Sequence, residues 1–250
     1  MQSRYKSILY RFFFTTSPKN KFSKFLLNIC LVLNKCLTSH PFQKMDKRET
    51  IIQSAIKLFS AKGFEGTSVR EIATDANVNV AMINYYFISK EKLFESVVEY
   101  RASFLKGVLA ELIDNNTLTP IEKIDVIIDS TIERKFSNSA FHHLLHRELS
   151  LEHRPQMRDA ISDILLKNMN TVKSIIQNGI NDGVFKPVDV ELTLRTIIGT
   201  IHYLLTSDTM CRKILGKPKG FNPFQNRKLK ERLSTHTKQL MRAHLLKKLK

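Results

Sequence analysis

The stretch GFEGTSVREIATDANVNVAMINYYFISKEKLF, residues 63–94, decides how this chain is read. It sets several helix starts and stops close together. Ser68 and Glu71 form a capping box, the pattern that satisfies orphan backbone N–H groups at a helix start. Only Ile72, Ala73 and Ala76 continue that helix before Asn77, which tolerates the left-handed backbone of a tight turn. Asn79 then caps a further helix to about Phe87, and Ser89 caps another led by Lys90. Upstream, Asp46 and Glu49 repeat the box, and Ile51, Ile52, Ala55, Ile56, Leu58 and Phe59 form one stripe of helical period that Gly63 is placed to end. The two middle helices are each about eight residues and too short to stand alone in water. They need a shared core, for which Val69, Ile72, Val78, Ile83, Phe87, Leu93 and Phe94 are the candidates.

Two short helices at this spacing suit a helix-turn-helix, whose second helix fits the major groove of double-stranded DNA. The core positions leave Asn79, Val80, Ala81, Met82, Asn84 and Tyr85 on the outer side of that helix. Small residues at 80 and 81 let the backbone approach a groove. Asn84 can pair with adenine through a donor and an acceptor, and Met82 or Val80 can meet a thymine methyl. Thr67, Arg70, Tyr85, Tyr86 and Lys90 have the chemistry for phosphate contacts that fix register without reading sequence.

The run Ile51 to Phe59, Gly63 to Ala73, Val78 to Phe87 and Ser89 to Phe94 resembles the N-terminal domain of the TetR family of bacterial transcription regulators. The resemblance covers roughly 50 residues. It implies an all-α protein: a three-helix helix-turn-helix DNA-binding domain followed by a helical ligand-binding and dimerisation domain. It also implies a homodimer on a palindromic operator, usually a repressor, that answers to a small-molecule effector. Positions matching Thr67, Arg70, Val80, Ala81, Met82, Asn84, Tyr85 and Lys90 commonly meet DNA in such proteins. One departure is Asn84, where the family often has an aromatic residue.

Beyond Lys90 the pattern is one of long helices. The first runs to about Ile113, before Asp114-Asn115-Asn116. Thr119-Pro120-Ile121-Glu122 combines a capping box with proline at the first helical position, and Ile121, Ile124, Ile127, Ile128 and Ile132 mark the buried face. Ser139 is placed to cap a helix through His153, Pro155 opens another to about Asn181, and Asp189 caps one to Thr206. A last basic helix carries Leu229, Leu233, Leu240, Leu245 and Leu249. The domain plan is therefore a basic extension over 1–44, a DNA-binding unit over 45–94 and an effector-binding and dimerisation unit over 95–250. If the resemblance holds, helices 190–206 and part of 224–249 pair in the dimer, with Thr193, Ile197, Gly199, Thr200 and Ile201 near the seam. Phe104, Phe136, Phe141, Met157, Met169, Phe185 and Tyr203 are candidates to line an effector pocket, though such residues are more often ordinary core. His142 and His146, one turn apart with His143 between them, are further candidates for its wall. No carboxylate or cysteine motif completes a metal ligand set with them, and no metal or cofactor is expected.

The net charge of +17 is unevenly spread. Residues 1–44 hold eight Lys/Arg and no acid, residues 45–210 have a net charge of −3, and residues 211–250 have +12. The excess lies at the ends, where it raises nonspecific affinity for phosphate or gives a solvated helix face. Cys30, Cys36 and Cys211 form no paired motif, which fits a reducing cytoplasm. The apolar run Phe25 to Leu33 behind a basic lead superficially resembles a signal peptide, but it is too short to span a bilayer. Met45 stands immediately before the Asp46 cap, so the preferred reading starts translation there; a basic membrane-surface anchor or a disordered arm are the alternatives for 1–44. The competing function class is accordingly a membrane-surface interaction protein that uses the N-terminus and the Lys-rich last helix. Catalysis finds no footing: there is no Gly-rich phosphate loop, no Gly-x-Ser-x-Gly turn and no carboxylate pair of arguable geometry.

Overall fold

The computed structural model describes residues 46–247, which form helices joined by turns, with an isolated antiparallel bridge between Phe185 and Leu246. The basic extension over 1–44, the candidate start Met45, Cys30, Cys36 and Leu249 lie outside the described residues. Helices α1 (Lys47–Lys62), α2 (Val69–Asp75), α3 (Val80–Phe87) and α4 (Lys90–Asp114) follow the boundaries that the caps predict. Ser68 Oγ accepts from the Glu71 N–H at 3.2 Å, and the Glu71 carboxylate accepts from the Ser68 N–H at 2.8 Å. Asn79 Oδ1 accepts from the Ala81 N–H at 3.0 Å, and Ser89 Oγ from the Lys92 N–H at 3.2 Å. Asn77 takes a φ of +52° and Gly63 a φ of +78°, so both chain reversals sit at residues that bear the left-handed region at low cost.

The second half comprises α5 (Pro120–Ser137), α6 (Ser139–Ser150), α7 (Pro155–Asn181), α8 (Val190–Thr206), α9 (Asp208–Ile214) and α10 (Arg227–Leu245). Two helices differ from expectation. Helix α6 has Ser139 as its first residue rather than its cap, Asn138 preceding it, and it stops at Ser150 rather than His153 because the backbone turns extended at Leu151 (φ −88°, ψ 134°). Helix α9 was not expected, being a single short unit after Ser207, whose hydroxyl caps the Met210 N–H.

One hydrophobic core joins the two halves. Phe59, Phe64 and Phe94 meet at ring separations of 5.3–5.6 Å, and Phe141 of α6 lies 6.4 Å from Phe94. Met157 and Ile161 of α7 belong to the same cluster. The orientation of α1–α3 is therefore fixed partly by residues from α6 and α7. Helix α10 spends its apolar face inside, burying Leu229, Leu233, Met241 and Leu245, while Leu240 is exposed. Three of its cations pair with α5: Lys238 with Asp129 at 2.5 Å, Lys230 with Glu133 and Arg242 with Asp125. The Lys-rich helix is thus a clamp on α5, and its apolar face is not available to a membrane surface. Phe185, a candidate pocket residue, packs its ring over Gly179, where an added Cβ would lie 2.4 Å from it.

Candidate nucleic-acid interface and interior cavity

Helix α3 presents Asn79, Ala81, Asn84 and Tyr85 to solvent, with Val80, Met82 and Tyr86 half-buried beside them. Tyr85 is 81% exposed, an unusual position for a large aromatic ring with no partner to cover it. It meets only Tyr86 edge-on, with ring centroids 5.2 Å apart. Arg70 stands exposed on α2, while the Lys90 ammonium lies 4.3 Å over the ring of Phe64. The scaffold beneath is tied down: Ile83 and Phe87 of α3 are in the core, and Lys62 of α1 pairs with Glu71 of α2 at 2.6 Å. Exposed apposable groups on a rigid short helix are what groove reading requires.

Thr67 is a correction. Its side chain is 1% exposed, and its hydroxyl donates towards the carbonyls of Gly63 at 2.8 Å and Leu58 at 3.2 Å. It locks the turn between α1 and α2 and is spent before any phosphate could reach it. The sequence reading also missed Ile88. This residue is 83% exposed and adopts φ +65°, ψ −48°, with the Ser89 N–H bonded to the Phe87 carbonyl at 2.6 Å. That is a γ-turn of the strained sense, and a β-branched residue there is a genuine outlier. The signal was a lone isoleucine between a helix end and a cap. Because Ile88 packs against little, Ile88→Gly should raise stability by about 1 kcal/mol, strain relief outweighing the added backbone entropy of the unfolded chain. Chemical denaturation of the two proteins checks this; a drop in stability would contradict the strain assignment.

The interior of the second half holds a small cavity of about 10 Å³, room for about one water, lined by Val98, Arg101, Ala102, Arg134, Phe141, His142, Leu145 and Leu165. Of the sequence candidates, Phe141 and His142 are there. The others are not: Phe104 is exposed and Tyr203 is 70% exposed, Met157 is in the core, and Met169 is half-buried on α7. Phe136 packs on Phe224 with centroids 5.8 Å apart, and His146 lies over His202 at 3.6 Å. Four groups are held far from their ordinary ionisation, Arg134 and His142 in the cavity wall and Lys135 and His146 outside it. Burial, with help from Arg134, Lys135 and Arg101, pushes His142 down to about 2. Burial pushes Lys135 down to about 8 and Arg134 to about 10, each aided by a neighbouring arginine, and His146 falls to about 3 for the same first reason with His202 next. The sequence analysis singles out none of Arg101, Arg134 and Lys135. Yet Lys135 falls seven residues after Ile128, in the buried stripe of α5, and is 6% exposed.

His142 has a pH consequence. Its folded state stays neutral while the unfolded chain takes up a proton as pH falls through about 6.5, so unfolding is favoured by acid. Stability should fall below that pH with a slope approaching about 1.4 kcal/mol per pH unit from this residue, and His142→Gln should remove that share. Urea titrations between neutrality and mild acid measure it; an unchanged slope in the variant would contradict it.

The described residues bring no three His, Cys, Asp or Glu side chains together to hold a metal, and among them no helix is long and apolar enough to cross a membrane. The dimer seam is a second correction. Thr193, Ile197 and Ile201 are buried within the chain, and the Thr193 hydroxyl meets His244 Nε2 of α10 at 2.9 Å. Gly199 of the expected seam does lie open, in a stripe with Leu192, Thr196 and Tyr203 at helical intervals. Leu192 is 64% exposed, and nothing lies within 4 Å of a Cβ built on Gly199.

With this geometry in view, known proteins can be compared. The sequence pattern of the family described as bacterial regulatory proteins, tetR family, matches residues 51–97. A protein of Bacillus subtilis (strain 168) described as a probable HTH-type transcriptional regulator, YttP, is 32% identical over 137 residues, 54% of this chain and 66% of that protein. The HTH-type transcriptional repressor KstR2 of Mycolicibacterium smegmatis is 28% identical over 162 residues, 64% of this chain and 78% of that protein. The solved transcriptional regulator FadR of Bacillus subtilis, in complex with stearoyl-CoA, superposes with a TM-score of 0.63 at 22% identity, covering 77% of this chain and 96% of that one.

Proposed function

This chain belongs to the TetR family of bacterial regulatory proteins, and we propose that it is a homodimeric repressor that holds a palindromic operator and leaves it when a small molecule binds its interior. The observation that carries this reading is the outer face of α3. Asn84 and Tyr85 stand clear of the protein on a helix whose inner face is anchored in the core. In this reading Asn79 to Met82, Asn84 and Tyr85 address the groove, while Arg70, Tyr86 and Lys90 hold phosphates. Residues 45–94 are the DNA-binding unit, and those from 95 onward serve effector and dimer. The cytoplasm, where DNA is, is the working compartment.

One eight-residue helix reads few base pairs, so recognition needs a second copy related by two-fold symmetry. The apolar stripe of α8, with α10 beside it, is the surface offered for that pairing. Leu192→Asp with Tyr203→Asp should convert the dimer to monomer in sedimentation analysis and weaken binding to a selected operator duplex by at least about 100-fold, since each chain would then bind alone. A variant that remained dimeric with full affinity would remove α8 from the interface. Release by effector is a population shift: the ligand must prefer the conformation whose two α3 helices do not match successive major grooves. The same preparations test that step through the effector-dependence of duplex affinity.

A further inference from the structure

We propose that the basic interior bounded by α4, α5 and α6 is an anion site: Arg134 and Lys135, with Arg101 and His142 beside them, receive the carboxylate or phosphate head of an amphipathic organic anion whose apolar body lies along Val98, Leu145 and Leu165. The inference rests on the reading of this interior as the effector site and names the chemistry of what it takes.

The charges of α5 are sorted. Three of its acids, Asp125, Asp129 and Glu133, turn to α10, where each has a cation, while Glu122 closes the capping box. Of its bases, Lys123 meets the Ile113 carbonyl at the helix start, whereas Arg134 and Lys135 turn inward, and among the described residues neither of these two is in an ion pair. Among the described residues Arg134 Nε and His142 Nε2 are buried with no hydrogen-bond partner, and both side chains line the cavity. Arg101 is engaged differently, 5.4 Å over the ring of Phe141. Among the described residues, every group acting electrostatically on Arg134, Lys135, His142 and His146 is a cation or an imidazole, with no carboxylate in the set. Buried polar atoms are normally satisfied, and buried cations are normally paired. A same-sign cluster with open donors beside an apolar wall lacks the anion that would repay its desolvation. The apolar wall argues for a chain behind the head group rather than a bare inorganic ion. The present cavity holds about one water, so the ligand must part α6 from α4 on entry. Its far end connects to the DNA-binding unit, because α6 also carries Glu148, which reaches Glu65 through Arg154.

The test uses the full chain, titrated calorimetrically with sodium decanoate, decyl phosphate and decanol, with thermal unfolding measured alongside. The expected result is that at least one anion binds and raises the midpoint, decanol does neither, and Arg134→Met and Lys135→Met each weaken the anion at least tenfold. The relative affinity of the two anions separates a carboxylate from a phosphate head. Unliganded, both variants should unfold no earlier than the parent, because each deletes an uncompensated charge, and Lys135→Arg should retain binding. Decanol binding as tightly as the anions, no binding by either anion, or undiminished affinity in both methionine variants would overturn the proposal. Duplex binding by the same preparations keeps the two readings apart. Protein that binds its operator but no anion overturns this site alone, whereas protein that binds the anion but no specific duplex upholds the site and overturns the repressor reading.

Discussion

An Asn84→Ala, Tyr85→Ala variant should lose specific operator binding while unfolding at the same temperature as the parent. Both side chains point away from the core, so their removal deletes almost no packing. Their loss falls on recognition. A well-placed base contact is worth about 1–3 kcal/mol, and a two-fold complex makes it twice, giving about 2–6 kcal/mol or roughly 30-fold to 10⁴-fold in affinity. Arg70→Ala is the contrasting variant. A phosphate contact carries no sequence information, so its loss should weaken all duplexes alike and flatten the salt dependence. Fluorescence anisotropy on specific and scrambled duplexes separates the two. Equal losses on both duplexes in the Asn84/Tyr85 variant would show that these residues only hold the backbone.

Arg154→Ala should give the largest stability loss of any single change at the junction between α1–α3 and the rest. Arg154 precedes α7 and bridges two carboxylates, Glu65 in the turn after α1 and the fully buried Glu148 on α6. It also stands 4.4 Å from the centroid of the Phe64 ring, which Lys90 meets at 4.3 Å. Among the described residues Arg147, 3.2 Å from Glu148, would remain as its cation, and Arg147 is itself largely exposed. Stranding a buried carboxylate in this way costs about 3–5 kcal/mol. The expected values lie at the lower end, since Arg147 remains. Because the pair buries charge, Arg154→Ala combined with Glu148→Leu should recover much of the loss, as apolar replacement of both partners often does. The double variant should nevertheless respond less to effector, because the link from α6 to Glu65 is gone. Denaturation midpoints of the single and double variants, with operator release measured on each, check both parts. Full stability in Arg154→Ala would mean that Glu148 finds another partner.

What was legible in the chain followed from how local the cause is. Ser68, Asn79, Ser89 and Thr119 act within three residues, so helix starts could be placed from the sequence, and the structure puts each cap where the side chain dictates. Thr67 was misjudged because its hydroxyl is consumed by Gly63 and Leu58, a relation that exists only once the turn is closed. Helix α8 was rotated in the reading because apolar residues cover more than one of its faces; Thr193 and Leu192 are adjacent in sequence, yet one is buried and the other open. Arg134 and Lys135 did not stand out in the sequence, since such residues are mostly exposed. Only the register of Lys135 with Ile121 and Ile128 hinted otherwise. Phe104 and Tyr203 show the converse, large rings that stay at the surface. Local chemistry was readable, while which face turns inward depended on helices far away in the chain.

Paired α3 helices should recognise one particular duplex sequence. The most direct test is selection of bound DNA from a random duplex pool by the full chain, with the Asn84→Ala, Tyr85→Ala variant in parallel. The expected result is enrichment of one palindrome, with half-site centres about one helical turn or a multiple apart, by the parent and not by the variant. Salt-sensitive binding to any duplex without enrichment, or equal enrichment by the variant, would contradict it.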